Sequence, residues 1–563
     1  LNSGITAAYA TFRNYYATES GMNLTVYGTD EFTHGQQQTN PPLNTYNNQL
    51  NPSQGQVGVP WQRAYTAINT CNGIIELGAT ASGLSETDRN TLIAEAKFIR
   101  ANWYYVLVHQ FGGATLDLGS GPLKFNTSTE NIASRDEASA IYDVIISDLT
   151  SITDGANNDD LPSSRPAAGL AGHAWKASAL HLLAKVYLTR AWSNDAQSGD
   201  FQKAYDTAMD LITNSATYGV SLLPNFADVF REGNEYNSES IWQVNWIDNV
   251  TFNNNTAFGG PAYQNLSHVL FNCFYHDNTP GLVRDVANGR LYVRYTPTDW
   301  LVNTAFGDKI NDSRFDKSFQ TVWRVNSTTT RNPKNLVLGD TAIWIVPAHL
   351  AAQVELTKDS RRYVVFTPRQ ATNPGTYFGA SGAGYADYDG YNDQNKYYPA
   401  LSKFKSTQPR PGNDPNVMSV RPFIVYRFAE TYLIAAEAAF KLNEVCGAAD
   451  LINVVRARAA ADASKVAAMT ANTLADLTAR GIDYILDERS RELAGEQMRW
   501  TDLVRTQKLI ERVNLYNNYP ARPGATIPNP QSFHVLRPIP QTQIDASVDP
   551  TTSDGKYPQN PGY

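Results

Sequence analysis

Four stretches of this 563-residue chain repeat apolar or small side chains every three to four residues, the spacing that gathers them on one face of an α-helix. In the first, Trp61 to Phe111, Ala64, Ile68, Cys71 and Ile75 are followed by Ala94, Phe98, Ala101, Tyr105 and Val108, which predicts an antiparallel helix pair. The second runs from about Ser134 to Ile212 and holds Ala174 to Leu188, then Ala204, Ala208 and Leu211. Small residues at such positions let helices approach closely, as in tetratricopeptide-like arrays, although the strict repeat consensus is absent. Phe423 to Ala459 and Leu474 to Ile510 predict two further pairs.

Between about Asn214 and Arg421 the pattern changes to short β-like runs, such as Ile241–Trp246 and Tyr363–Phe366, separated by Gly, Asn and Pro clusters. The expected fold is therefore mainly α: one domain over 1–563 with a scaffold of helix pairs and long loop-rich insertions containing short β-strands. Its subregions are an N-terminal helical part (1–215), a loop- and strand-rich part (216–421) and a C-terminal helical part (422–563). Thr25 to Pro60 and Gly379 to Tyr391 read as loops, where a rigid scaffold usually displays its binding chemistry.

A net charge of -8 lacks the basic footprint that phosphate contacts require, so nucleic acid is not an expected partner. Cys71, Cys273 and Cys446 lack CxxC spacing and read as small core residues, with one disulfide and one free thiol as the other arrangement. No uninterrupted apolar run reaches the roughly 18 residues of a membrane-spanning helix. The 31 Tyr and 10 Trp, among many Asn and Thr, suit a carbohydrate binder, because aromatic faces cover the C–H surfaces of sugars while amides bond the hydroxyls.

Glu488, Glu492 and Glu496 fall at i, i+4 and i+8, which would gather carboxylates as general acid–base chemistry needs. Arg489, Arg491 and Arg499 interleave them, so a structural salt-bridge network is the reading adopted, as for Arg427 with Glu430 and Glu95 with Arg100. His173 and His181, two turns apart, read as core histidines. No HExxH, GxSxG, P-loop or GxGxxG occurs, and neither a cofactor nor a metal is expected. Asp387–Asp393 alternates oxygen ligands as a Ca²⁺ loop does but lacks the distal Glu, and reads as a polar turn.

Glu95-Ala-Lys-Phe-Ile-Arg-Ala-Asn-Trp-Tyr-Tyr105 with Phe111-Gly-Gly113, Arg427 to Ala438 with Val455-Arg-Ala-Arg458, Glu488 to Asp502, and Pro538-Ile-Pro540 with the closing Gln559-Asn-Pro-Gly-Tyr563 stand in one order. That ordered set resembles the SusD/RagB family of Bacteroidetes. The resemblance implies a tetratricopeptide-like surface lipoprotein of the outer membrane. Such a protein binds oligosaccharides and acts as a lid on a SusC-type TonB-dependent transporter, without being an enzyme. The chain starts at Leu1 without a lipobox Cys, so the expectation is a start trimmed past the lipid anchor and an intact C-terminus. A SusD-like binder of peptides or other nutrients, and a glycosidase using two loop carboxylates, are the alternatives.

Trp61, Trp103, Trp175 and Trp500 lie within the helical motifs and are expected in the core, as is Trp242. Rings expected in exposed loops are Tyr27, Phe32, His34 and Tyr46, then Tyr275 and His276, then Tyr385, Tyr388 and Tyr391, with Trp246, Trp323 and Trp344 intermediate. In SusD-like proteins the glycan surface is built from inserted loops, including the one after the first helix, which singles out Phe32, His34 and Tyr46. With Tyr275, Trp323, Trp344 and Tyr388 these form the expected ligand-binding set.

Overall fold

The computed structural model describes residues 1–119, 131–155, 161–246, 264–276, 279–329, 332, 335–356, 362–367, 379–381, 397–407, 414–517 and 526–563. Two N-terminal helices, α1 (Asn2–Thr11) and α2 (Glu19–Thr25), rest against α3 (Gly55–Gly78). Helix α4 (Glu86–Phe111) starts where Ser85 Oγ accepts the Asp88 N–H at 3.1 Å and stops at Gly112, whose φ of +72° suits a residue without Cβ. Its buried face carries Ala94, Ala96 and Ala101 beside Phe98 and Trp103, so neighbours can come close.

The array continues through α5 (Ala138–Ser151), α6 (Lys176–Trp192) and α7 (Asp200–Thr213), each packed on the one before. The next long helix to pack on α7 is α8 (Phe428–Lys441), more than 200 residues later, which then packs on α9 (Val445–Ala459). The helical scaffold is thus continuous across the insertion. The fourth predicted pair is instead four helices, α10 (Thr473–Arg480), α11 (Ile482–Leu493), α12 (Arg499–Arg505) and α13 (Leu509–Tyr516). Positive φ at Gly481, Gly495, Gln497 and Gln507 breaks the run. No described helix is long and apolar enough to cross a membrane.

Strand β1 (Phe32–His34) and a helix that begins at Gly55 and runs through Pro60 occupy the segment expected as the first loop. The insertion opens on β2 (Ser240–Val244), adds β3 (Tyr295–Pro297) and a sheet ordered β4 (Val322–Arg324), β5 (Thr341–Ile345), β6 (Val364–Thr367), β7 (Gly379–Ser381), and closes on β8 (Phe423–Arg427). In that sheet β5 and β6 are parallel and the other pairs antiparallel. Residues 423–427 were expected to start a helix, and 379–381 to be loop; both are strands. β8 pairs antiparallel with β2, setting Phe423 against Val244 and Tyr426 against Trp242, so the two ends of the insertion are fastened together. Trp242 packs there at 5.3 Å from both Phe98 and Tyr426 and edge-on to Phe12 at 5.1 Å.

The motif charges of the C-terminal helices lie in the interior. Arg427 reaches Glu496 at 2.7 Å, Glu492 at 2.6 Å and Glu239 at 3.0 Å, all fully buried or nearly so. Arg314 holds Asp312 at 2.6 Å, Glu488 at 2.7 Å and Glu492 at 3.0 Å. Arg456, Arg458, Arg491 and Lys403 complete the cluster. Burial pushes the Glu488 carboxyl up, and Arg314, Arg491 and Arg456 outweigh that to hold it well below the ordinary range. Glu492 is brought to about 2 in the same way. The network is the expected one with different partners: Glu430 meets His181, Lys185 and Arg489, Arg100 meets Asp148, and Glu95 meets His173. Glu496 lies beyond the end of α11, not on it. Cys71 and Cys273 are buried and free; Cys446 is exposed, a departure from the core expectation.

The first segment is fixed by a separate cluster. Asp30 takes Arg499 and Arg512, each at 2.6 Å, and burial, which raises its carboxyl, is outweighed by the two guanidiniums. Glu31 is buried beside it with Arg499 only at 3.7 Å; burial, with Asp30 adding to it, raises its carboxyl from 4.5 to about 7.

Two outcomes follow from these clusters. Arg427→Ala leaves three buried carboxylates short of their partner and is expected to cost about 3–5 kcal/mol in denaturant-unfolding measurements. A carboxyl raised on folding contributes stability that is complete below its unfolded value and is lost as pH rises through its folded value. Glu31→Gln should therefore gain on the order of 1–3 kcal/mol over the parent near pH 8 and roughly nothing near pH 4, read from unfolding curves at both.

Candidate ligand-binding face

β1 pairs antiparallel with β3, His34 opposite Tyr295 and Phe32 opposite Pro297, which ties the first segment to the insertion. Phe32 and His34, two residues apart, line the same side of that strand and differ in depth. Phe32 is fully buried with its ring 5.0 Å from Phe271, while His34 stays half-exposed and meets the Tyr27 hydroxyl through Nδ1 at 3.0 Å. Tyr46, in a left-handed turn at φ +53°, is buried; its hydroxyl donates to the Gly28 carbonyl at 2.6 Å and its ring packs 5.2 Å from His534. Phe32, Tyr27 and Tyr46 were expected as exposed loop rings. They are interior because the Asp30 cluster draws their segment under the C-terminal helices.

Tyr275 and Trp323 are interior as well, with near-parallel rings 6.5 Å apart. The Tyr275 hydroxyl donates to the Gly289 carbonyl at 2.6 Å. On β5, Ala342, Ile343 and Ile345 are buried while Trp344 remains half-exposed. Trp246 is buried too, as are Trp61, Trp103, Trp175, Trp242 and Trp500 in line with their core assignment. Tyr388, with Tyr385, Tyr391 and the Asp387–Asp393 run, lies outside the described residues. The accessible members of the predicted set are therefore His34 and Trp344, and His276 is half-exposed as well.

One ring was missed. Leu291, Val293 and Tyr295 are buried, whereas Arg290 is exposed and Tyr292 and Arg294 are half-exposed. The guanidinium carbons of Arg290 and Arg294 stand 4.8 and 5.2 Å from the Tyr292 ring centre. The signal in the sequence is the Arg-Leu-Tyr-Val-Arg alternation, period two, which places Arg290, Tyr292 and Arg294 on one side. The ribbon extends past β1 here, Gly35 N–H donating to the Arg294 carbonyl at 2.9 Å and Gln37 N–H to the Val293 carbonyl at 3.1 Å. Asn272 Nδ2 holds the carbonyls of Asn288 and Arg290 at 2.7 and 3.0 Å, and Arg284 donates to His276 Nε2 at 3.3 Å and Asn416 Oδ1 at 2.8 Å.

This face offers ring surfaces, amides and guanidinium donors, the equipment of polyol recognition. A separate cleft of about 350 Å³ opens at the end of α9, lined by Asn225, Phe226, Lys317, Arg458 and Asp462 among others. Among the described residues no group of three or more His, Cys, Asp or Glu is placed to hold a metal ion.

A family model described as the SusD family matches residues 238–563, and one described as starch-binding associating with outer membrane matches residues 1–188. The chain is 26% identical to SusD-like protein P2 of Formosa agariphila, covering 100% of this chain and 92% of that protein. A laminarin binding SusD-like protein superposes with a TM-score of 0.65 at 21% identity, covering 100% of this chain and 98% of the other. A SusD homolog from Bacteroides thetaiotaomicron VPI-5482 reaches 0.70 at 20% identity, with 100% and 96% covered. Likeness at that identity establishes the mainly α fold.

Proposed function

Since the chain belongs to the SusD family, whose model matches more than half of it, we propose that it is a surface glycan-binding protein of the outer membrane, held there by an N-terminal lipid anchor. It captures oligosaccharides and passes them to a SusC-type TonB-dependent transporter. The observation that carries this reading is the match of residues 1–188 to starch-binding proteins associating with the outer membrane, joined to the fold shared with a laminarin binder. His34 and Trp344, the accessible members of the expected set, are the proposed contacts, with the buried Tyr275–Trp323 pair as a proposed support. Phe32 and Tyr46 are proposed as further buried supports, and Tyr388 as a further contact.

Capture proceeds without covalent chemistry. The carboxylate group that could have suggested hydrolysis, Glu488 with Glu492 and Glu496, is buried among guanidinium and ammonium groups, and those cations hold Glu488 and Glu492 ionised near neutral pH. Residues 1–563 are proposed to work as one unit, because the helix array crosses the insertion without a break. Ring stacking contributes on the order of 1 kcal/mol per ring, which places affinity in roughly the micromolar to millimolar range.

The test is calorimetric titration with a panel of oligosaccharides and peptides, alongside co-purification with the transporter. Binding of at least one glycan, weakened about fivefold by His34→Ala or Trp344→Ala, is the expected result. Binding of peptides alone would transfer the reading to another nutrient, and release of sugar during incubation would make the protein a hydrolase.

A further inference from the structure

Arg290 differs from the other arginines of the chain's interior clusters. Its guanidinium is exposed, and the one contact it makes among the described residues is with the face of Tyr292. A planar guanidinium stacked on a ring loses rotameric freedom while keeping its N–H edge open, which is a pre-organised receptor for a planar or tetrahedral oxyanion. Arg294 flanks the same ring, ion-paired with Glu19 at 2.8 Å and donating to the Gln37 carbonyl. Arg284, at the far side of the turn formed by Asp285 to Gly289, is exposed and, among the described residues, donates to His276 and Asn416.

The backbone is shaped for this display. Val293 adopts φ +46°, a left-handed conformation costly for a β-branched side chain, and its own side chain is fully buried. The chain carries -8 overall; among the described residues Glu19 is paired with Arg294, and Asp285 accepts from Asn288 and Asn326. A neutral sugar gains little from two unneutralised guanidiniums beside an amide-rich edge, whereas an acidic one gains a charge-assisted fork.

We propose that the Arg290–Tyr292–Arg294 stack, with Arg284 beside it, recognises an anionic oxygen group on the glycan, a uronate carboxylate or a sulfate ester. This rests on the glycan-binding reading above and narrows its substrate class.

The experiment titrates the full chain with alginate oligomers, dextran sulfate and the neutral glucan laminarin, at low and high salt. Variants are Arg290→Ala, Arg290→Lys and, as an exposed arginine elsewhere, Arg231→Ala. Expected is binding of at least one acidic probe that falls about tenfold with Arg290→Ala, about threefold with Arg290→Lys, and not with Arg231→Ala, with a salt dependence that flattens in Arg290→Ala. Alginate alone responding identifies a uronate, dextran sulfate alone a sulfate ester. Laminarin binding without either acidic probe, or acidic binding indifferent to Arg290→Ala, overturns this inference and leaves glycan capture standing. Failure of all three polysaccharides, together with failure of a wider oligosaccharide panel, overturns the capture reading itself.

Discussion

Arg427 holds three carboxylates in the dry interior, and the architecture turns on that arrangement. Glu239 comes from the start of the insertion, Glu492 from α11, and Glu496 from the turn after it. Through Glu492 and Glu488 the same cluster reaches Arg314 and Asp312 in the middle of the insertion. Charges removed from water are costly unless every one is met, so the favourable state is the single arrangement in which all these segments arrive together. Hydrophobic burial favours many packings of alanine-rich helices about equally. The ion cluster discriminates among them, and it explains how a scaffold interrupted between α7 and α8 resumes in register.

That rigidity is what allows recognition to rest on few residues. With β2 and β8 fastened together, the β1–β3 ribbon, joined across more than 250 residues of sequence, presents an ordered edge. Side chains on that edge need no ordering of the backbone when a ligand arrives, which lowers the entropic cost of binding. A buried second layer, Tyr275 on Trp323 and Phe32 on Phe271, backs the outer one.

The scaffold was legible in the sequence because helical periodicity is a local property. Ala94, Ala101, Ala179 and Ala184 occupy close-contact positions that spacing alone predicts, and the motif tryptophans are buried as placed. The ligand face was much less so. Nothing local to Phe32 or Tyr46 tells that Asp30 will meet Arg499 and Arg512, more than 460 residues onward, and carry those rings inside. Trp323 and Trp344 look alike in sequence and differ only by which side of a two-strand register they fall on. Glu496 looked like the third step of a helical ladder because a single run of residues does not reveal the break at Gly495, φ +77°. Even so, it joined the predicted network, since a carboxylate long enough to reach Arg427 and Lys403 does so from a turn as well as from a helix.

The closing Gln559-Asn-Pro-Gly-Tyr563 shows why family recognition and ligand recognition part company. Asn560 donates to the carbonyls of Phe111 and Arg537 at 3.0 and 2.8 Å and accepts from Arg135 at 2.5 Å, so it closes the C-terminal end of α4. Gln559 brackets Ile539 with an accepted and a donated bond at 2.7 and 2.9 Å. Gly562, at φ +96°, lies so near Phe533 that an added Cβ would stand 2.3 Å from the ring, and Tyr563 donates to the Leu536 carbonyl at 2.7 Å. Each of these residues satisfies a backbone group or a steric limit inside the scaffold, and any chain with this helix end faces the same demand. Arg290 meets no such demand, as its exposed side chain closes no helix and fills no core position. Substitution there alters the surface without unsettling the fold, which is the physical condition for one scaffold to serve different ligands.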